Sequence, residues 1–288
     1  MEFISNDFTS MYQNICHALV AHGESSTPRN MPIHELLGVS LLLENPRRRI
    51  LLNSARKLPM HFAIGEWLWT TRGRSDLSFI QYYASHYDRF SDDGISLYGA
   101  YGPRIQPALN KICSLLHSDP DSRRAVIPIY SPPDIGTDSN DIPCTTTLQF
   151  LIRSGCLNMI TTMRSNDIYL GLPYDVFNFT MLQELVACRL GVKLGTYHHF
   201  VGSMHYYDRD SEKINAIITG HSETIEDMPE MNPVTIEKEL ENFFDFEEQL
   251  RLTGKTTIAV SAYFQPLAQV LLAYRQKLDR KKENMWAG

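Results

Sequence analysis

The segment DVFNFTMLQELVACRLG, residues 175–191, limits the possible folds of this 288-residue chain more than any other. It is apolar on nearly every side of a helical projection and stops at Gly191, a residue that commonly follows the last turn of a helix. A helix that is apolar all round must be enclosed by other layers of structure. The sequence therefore predicts a buried helix over residues 175–191.

Several strands and further helices are predicted around it. Four runs suit a pleated surface: residues 124–130, 144–153, 156–163 and 196–207. Ser154 and Gly155 between two of these runs predict a hairpin. Apolar residues at helical spacing predict helices over residues 60–73 and 104–118, and the chain from about residue 210 is expected to be mostly helical. We predict an α+β fold in one domain, residues 1–288, with a mixed sheet flanked by helices.

Composition excludes several classes of partner. The net charge of −6 argues against a surface for duplex nucleic acid, because phosphate contacts need clustered positive charge. Five widely spaced cysteines without a CxxC pair predict neither disulfides nor a metal site. No apolar run approaches the roughly 20 residues that span a bilayer, and the N-terminus lacks the features of a signal peptide. We expect a cytoplasmic protein with no membrane partner.

Cys144 is the strongest candidate for a reactive group. It follows Pro143 and begins a predicted strand directly after a polar loop, which would place its thiol beside a cleft. Arg164, on the next strand of the hairpin, would favour the nucleophilic thiolate. A lone cysteine is more commonly a buried structural residue, so this position alone is weak support.

Two short runs concentrate arginines, SRR at 122–124 and MRSND at 163–167. Arginines beside strands are usually solvated or ion-paired. Together, however, the side chains of Arg123, Arg124 and Arg164 can offer the forked donors that suit a phosphate monoester, with Ser165 adding a hydroxyl.

Four segments resemble the thymidylate synthase family in this order and at these spacings: PDSRRAVIP, PCTTTLQFLIR, MRSNDIYLGLPYD and VGSMHYY. The resemblance runs from about Arg29 to Tyr207, and a divergent segment follows over about 210–288. It implies the family's fold, with two sheets packed back to back in a homodimer. It also implies a pyrimidine nucleotide and methylenetetrahydrofolate as the two substrates.

The resemblance assigns the catalytic roles. Cys144 would attack carbon 6 of the pyrimidine, so that carbon 5 becomes nucleophilic and attacks the folate one-carbon unit. Glu66 matches the glutamate that organises water and moves protons. Tyr98 matches a tyrosine near the site of proton transfer, although Tyr101 is a possible alternative.

The resemblance also assigns binding residues on both substrates. Asp167 would anchor the folate ring, and Gly171 would also belong to the folate-binding residues. His205 and Tyr207 would hold the sugar hydroxyl. The nucleotide phosphate would be bound by five residues: Arg29 from a mobile N-terminal loop, Arg164 and Ser165 from the same subunit, and Arg123 and Arg124 from the second subunit. The active sites of the homodimer would therefore be shared.

Asp175 departs from the family where the base is recognised. Family members end the motif GLPFN with asparagine, whereas this chain has GLPYD. Uracil presents a ring N–H donor and a carbonyl acceptor, so an ionised carboxylate would oppose acceptor to acceptor. Cytosine presents a ring acceptor and an amino donor, which a protonated aspartic acid matches; an ionised aspartate matches cytosine protonated on its ring nitrogen. Asp175 therefore predicts CMP or dCMP as the substrate.

Two further departures bear on the fate of the one-carbon unit. Thr145 replaces the usual histidine after the nucleophile, and the runs CTTTLQFLIR and MRSND closely resemble the phage deoxycytidylate hydroxymethylases. Tyr87 stands where the family has a tryptophan that shields the intermediate beside the folate, and a smaller, hydroxyl-bearing side chain would admit water. We predict hydroxymethylation; a reductive methyltransferase and a catalytically idle nucleotide-binding protein remain the alternatives.

Overall fold

A mixed seven-stranded sheet forms the centre of the structure, a computed structural model that describes residues 1–223 and 226–286, with side chains up to residue 281. Its strands are β1 (Glu2–Ser5), β2 (Glu24–Ser26), β3 (Ile33–Leu43), β4 (Val126–Pro128), β5 (Thr145–Arg153), β6 (Cys156–Asp167) and β7 (Lys193–Tyr207). They lie in the order β1-β3-β7-β6-β5-β4, with β2 beside β3. Strand β1 is parallel to β3, and β6 is parallel to β7; the other pairs are antiparallel.

The hairpin of β5 and β6 has the predicted turn. Ser154 and Gly155 have φ angles of 51° and 75°, and Arg153 pairs with Cys156 across the turn. Two positive φ angles match the twist of the flanking strands, which makes the turn compatible with a tight hairpin. Strand β6 continues beyond the predicted end at residue 163 to Asp167, so it carries Arg164 and Ser165 as strand residues.

The described residues also form eight helices: α1 (Phe8–His22), α2 (Met60–Thr71), α3 (Leu77–Tyr83), α4 (Gly102–Ser118), α5 (Leu172–Leu190), α6 (Ser211–Thr219), α7 (Ile236–Thr253) and α8 (Gln265–Trp286). The predicted α+β fold is therefore confirmed. Each of these helices falls short of the length or apolarity needed to cross a membrane.

The surroundings of helix α5 explain why its sequence is apolar on nearly every side. Gly191 ends it at φ 66°, in the left-handed region that glycine favours. Phe179 on one side packs into the apolar core between α5 and the sheet, whereas Phe177 and Met181 pack into a second apolar core built with α2, α3, α7 and α8. Because α5 lies between two cores, it is apolar all round.

The opposite face of the sheet is left uncovered by these helices. Leu37, Val126 and Phe200 are exposed strand residues, with exposed fractions of 69%, 39% and 41%, and Val126 and Phe200 each lie between two buried residues. Apolar residues on an open sheet face mark a surface suited to contact with another protein.

Candidate active site

A cavity of about 150 Å³ lies between α2, α5 and the two loops that precede α4 and β5. Its lining residues include Glu66, Tyr87, Tyr101, Asp141, Cys144 and Asp175. Four of them are residues that the sequence predicted to act on the base or the one-carbon unit: Glu66, Tyr87, Cys144 and Asp175. They come from separate parts of the chain, and the fold brings them to one cavity.

Cys144 is placed by the start of the hairpin. The backbone N–H of Arg164 donates to the Cys144 carbonyl at 2.8 Å, and the Arg164 Nε donates to the Pro143 carbonyl at 2.9 Å. Ser165 Oγ lies 3.7 Å from the Cys144 sulfur. Burial raises the pKa of the Cys144 thiol, while the positive charge of Arg164 and the Ser165 hydroxyl act in the opposite direction. The thiol is thus nearly enclosed, with a cation and a hydroxyl beside it.

Glu66 lies on α2, whose inward side forms one wall of the cavity. Burial and, to a smaller extent, the nearby charge of Asp175 raise the pKa of its carboxyl to about 8. The Tyr87 hydroxyl lies 3.5 Å from Glu66 Oε1, at the outer limit of a hydrogen bond. A glutamate in this state can hold or release a proton near neutral pH.

Asp175 lies in the first turn of α5 and accepts a hydrogen bond from Asn166 Nδ2 at its Oδ2, at 2.8 Å. Burial raises the pKa of Asp175 to about 7, against the effect of this bond. Near neutral pH, Asp175 is therefore present in both its protonated and its ionised form. A hydrogen-bonded pair between this carboxyl group and cytosine needs one proton, either on the acid or on the base.

Of the two tyrosines considered for proton transfer, Tyr101 lines the cavity and Tyr98 does not. The Tyr101 hydroxyl accepts a hydrogen bond from the Thr145 backbone N–H at 3.3 Å, next to the nucleophile. Tyr98 is 39% exposed, and its ring packs against the guanidinium of Arg104. The role predicted for Tyr98 stays a prediction, but Tyr101, the alternative, is the one of the two that lines the cavity. Both tyrosines lie just before α4, which begins at Gly102.

Asp141 is a cavity residue that sequence reasoning missed. Its Oδ2 accepts the backbone N–H of Gly99 at 2.8 Å, and burial raises the pKa of its carboxyl. Its position three residues before Cys144 was the sequence feature that could have identified it, but the loop around it has the composition of an ordinary polar loop.

A second group of predicted residues lies at the end of β6 beside the cavity. Asp167 pairs with His205 across β6 and β7. Asp167 Oδ1 accepts the backbone N–H groups of Tyr169 and Leu170, at 2.7 and 3.0 Å. Its Oδ2 is buried without a hydrogen-bond partner among the described residues. Tyr207 packs edge to face against His205 at 5.5 Å between ring centroids.

Gly171 lies close to Asn166 and Asp175. A Cβ atom at Gly171 would lie 2.9 Å from Asn166 Nδ2 and 3.3 Å from Asp175 Oδ2. The predicted folate role of Gly171 stays a prediction, but the position clearly requires a small residue next to this pair.

Three predicted phosphate residues lie outside the cavity in the single chain. Arg123 and Arg124 precede β4 at the surface, and the side chain of Arg124 is 78% exposed. Arg29 is exposed at φ 54°, within a short 3-10 turn. Only Arg164 and Ser165 of the predicted phosphate group adjoin Cys144.

Comparison with known proteins agrees with this geometry. A model of the family described as thymidylate synthase matches residues 10–262. The chain belongs to the thymidylate synthase family. The resemblance expected from the four motifs is thereby confirmed, and the match extends past Tyr207 into the helical C-terminal segment.

Three phage proteins named deoxyuridylate hydroxymethyltransferase are similar to this thymidylate synthase family member. The protein of Bacillus phage SP01 is 31% identical over 217 residues, which is 69% of this chain and 57% of the relative. That of Delftia phage PhiW-14 is 30% identical, over 68% of this chain and 57% of the relative. That of Pseudomonas phage M6 is 31% identical, over 61% and 52%. The chain thus spans little more than half the length of these relatives.

Proposed function

We propose that this protein transfers a one-carbon unit from methylenetetrahydrofolate to carbon 5 of CMP or dCMP and leaves it as a hydroxymethyl group. The observation that carries the proposal is the cavity in which Cys144, Glu66, Tyr87 and Asp175 meet. It combines a nucleophile, a group that transfers protons and a residue that can recognise cytosine. The names of the similar phage proteins support the hydroxymethyl outcome.

The chain's own residues have separable roles in this reaction. The Cys144 sulfur adds to carbon 6 of the base, and carbon 5 then forms the bond to the one-carbon unit of the folate. Loss of the carbon 5 proton breaks the bond between the one-carbon unit and the folate nitrogen, so that tetrahydrofolate leaves. Water adds to the resulting exocyclic methylene group, and the Cys144 sulfur leaves. Glu66 holds and moves protons, because its pKa of about 8 lies close to neutral pH.

The unpartnered oxygen of Asp167 fits a folate. A buried acceptor without a partner costs about 1–3 kcal/mol, which a ring N–H donor of the bound folate would relieve. Methylenetetrahydrofolate would supply the one-carbon unit. We assign its ring to the side of the cavity where Asp167 lies, with His205 and Tyr207 next to it on β7 for the nucleotide sugar.

Hydration is favoured over reduction by the oxygen atoms on one wall of the cavity. The Tyr87 hydroxyl adjoins the Glu66 carboxyl, and Asp141 lines the same space. Such a wall holds a water molecule better than an indole would. A reductive methyltransferase is the alternative within this chemistry. An idle nucleotide-binding protein would have no need of the thiol.

The similar proteins carry the name of a uracil nucleotide, which makes dUMP the second candidate substrate. A protonated Asp175 presents a donor and an acceptor side by side, and the order of these two groups decides which base fits. We favour cytosine, because an acid of pKa about 7 readily supplies the proton that a cytosine pair needs.

We further propose a homodimer with shared phosphate sites, formed through the open face of the sheet. Leu37 and Phe200 lie on that face. Arg123 and Arg124 have no role at the cavity of their own chain, but they suit a phosphate bound by a second copy. Active protein that sediments as a monomer at micromolar concentration would contradict this arrangement.

The decisive experiment offers the protein methylenetetrahydrofolate with CMP, dCMP or dUMP in separate reactions. Mass spectrometry identifies each nucleotide product, and absorbance reports any dihydrofolate. We expect a hydroxymethylated cytosine nucleotide without dihydrofolate, and no product from Cys144→Ser. A methylated product with dihydrofolate would replace hydroxymethylation by reduction, and hydroxymethyl-dUMP alone would replace the substrate.

A further inference from the structure

A chain of hydrogen bonds runs from Asp175 into the interior behind the cavity. Asn166 Nδ2 donates to Asp175 Oδ2 at 2.8 Å, and Asn166 Oδ1 lies 3.1 Å from His199 Nε2. His199 Nδ1 lies 2.8 Å from the Tyr197 hydroxyl oxygen. Asn166, Tyr197 and His199 are all buried, with at most 3% exposure. None of these three residues was predicted as a site residue from the sequence.

Each link of this chain constrains the next one. If Asn166 offers its NH2 group to Asp175, its carbonyl faces His199, whose Nε2 must then carry the proton. The Nδ1 of a neutral imidazole is then an acceptor for the Tyr197 hydroxyl. Burial lowers the pKa of His199 to about 3, so the ring is neutral and has a single N–H.

The reverse order of donors is also possible in principle, with a proton on Asp175 Oδ2 donated to a flipped Asn166. Two features favour the first order. An ionised Asp175 has no proton to donate, so it can only accept from the Asn166 NH2 group. A phenol hydroxyl is also a better donor than acceptor, which keeps Nδ1 of His199 unprotonated.

The order of donors determines what Asp175 shows to the base. While Asn166 donates to Oδ2, a proton on Asp175 resides on Oδ1, which has no hydrogen-bond partner among the described residues and belongs to a cavity-lining side chain. As a donor, Oδ1 suits the unprotonated ring nitrogen of cytosine. In the reverse order Oδ1 is an acceptor and suits the ring N–H of uracil.

We propose that Asn166 and His199 are positioning residues that keep the Asp175 proton on the substrate side and so set the choice between cytosine and uracil nucleotides. The inference rests on the proposed function, since it assigns Asp175 to the base. Gly171 supports it independently, because a Cβ there would come within 2.9 Å of Asn166 Nδ2 and push the amide away. The close approach of Asn166 to Asp175 therefore depends on glycine.

The test measures kcat/KM for a cytosine nucleotide and for the matching uracil nucleotide, with their dissociation constants from calorimetry as a second readout. His199→Phe removes the donor that orients Asn166. We expect the ratio of the two kcat/KM values to fall about tenfold, the effect of losing one buried hydrogen bond. Tyr197→Phe should lower the ratio less. His199→Gln keeps an N–H donor and should retain most of the ratio.

Two more variants separate positioning from general damage. Gly171→Ala leaves all four residues of the chain unsubstituted but displaces the Asn166 amide, so it should also lower the ratio. His22→Phe, at the exposed end of α1, should leave the ratio unchanged. A merely structural role for His199 would lower the melting temperature and both kcat/KM values together, without moving their ratio.

The inference is overturned if His199→Phe and Gly171→Ala both keep the wild-type ratio within twofold. Its failure is distinguishable from failure of the proposed function. A wild-type preference for uracil would refute the proposed substrate, yet loss of that preference in His199→Phe would still support the positioning role. If no nucleotide is turned over, the ratio of dissociation constants decides the inference.

Discussion

Two carboxyl groups on helix α5, the buried Glu184 and the half-buried Asp175, have opposite surroundings. Glu184 bonds to Arg49 at 2.5 Å and accepts hydrogen bonds from the Tyr263 hydroxyl and the Met231 backbone N–H, at 3.2 and 3.3 Å. Asp175, nine residues earlier, has a single donor, Asn166, and faces a cavity. A fully partnered acid stabilises the fold, whereas an under-partnered one with a raised pKa is available to a substrate.

The partners of Glu184 also join distant parts of the chain. Arg49 precedes α2, and Tyr263 precedes α8, so the pair fastens the C-terminal helical segment to α5. Asn166, the hydrogen-bond donor to Asp175, lies within the sheet instead, on strand β6. The same helix therefore serves the fold at one end and the proposed chemistry at the other.

The largest expected effect is at Glu66, which shares the cavity with Asp175. Glu66→Gln removes the group that holds and moves protons and should lower kcat by about 10²–10⁴-fold. The stability of this variant near neutral pH should not fall, because the amide is neutral at every pH, whereas folding of the wild type must protonate a carboxylate that is ionised in the unfolded chain. Steady-state kinetics and urea unfolding test both statements. A variant with wild-type kcat would remove Glu66 from the proposed mechanism.

Arg49→Met should lower stability and leave activity unchanged, which is the opposite of the effect expected for Glu66→Gln. It leaves Glu184 buried without its cation, and such a loss costs about 3–5 kcal/mol of the free energy of unfolding. Activity per folded molecule should be retained, since Arg49 does not line the cavity. The double variant Arg49→Met/Glu184→Met is the matched control and should recover much of the stability. A loss of activity without a loss of stability would contradict the comparison.

The cavity acids should also make stability depend on pH. Burial raises the pKa of Glu66 to about 8 and that of Asp175 to about 7, so the folded state binds protons that the unfolded state has already released. Their contribution is complete below about pH 4 and is lost as the pH rises through 7 and 8. We expect the free energy of unfolding to fall by a few kcal/mol between pH 5 and 8.5, and by less in Glu66→Gln. Urea titrations at stepped pH measure this slope; equal slopes would show that Glu66 titrates normally.

Local patterns were sufficient for part of the fold. The Ser154-Gly155 turn and the all-apolar α5 follow from short-range rules, and both were predicted. Strand β1 and helix α1 were not predicted. Strand β1 is held by parallel pairing with β3, whose paired residues lie 38 positions further along the chain, and a parallel pair has no turn signal.

The candidate site likewise contains some residues that the sequence predicts and others that it does not. Cys144, Glu66 and Asp175 lie in recognisable motifs, so their positions could be anticipated. Asn166 and His199 lie on neighbouring strands, β6 and β7, and are hydrogen-bonded although the register pairs Asn166 with Met204. Their side chains look like those of ordinary strand residues in the sequence. Hydrogen bonds between strands depend on register, which one sequence does not specify.

The smallest expected effect tests the comparison at Asp175 itself. Asp175→Asn cannot supply a titrating proton, and its amide can turn to suit uracil, so the preference for cytosine over uracil nucleotides should fall by about 1–3 kcal/mol, roughly ten- to a hundredfold. Glu184→Gln, on the same helix, is the control and should lower stability without moving that preference. Competition between CMP and UMP, or dCMP and dUMP, across pH 6–9 reports both. The wild-type preference for cytosine should weaken above about pH 7, as the Asp175 proton is lost, while that of Asp175→Asn should stay flat. An unchanged preference in Asp175→Asn would mean that the base is read elsewhere and that α5 supports the fold at both of its acids.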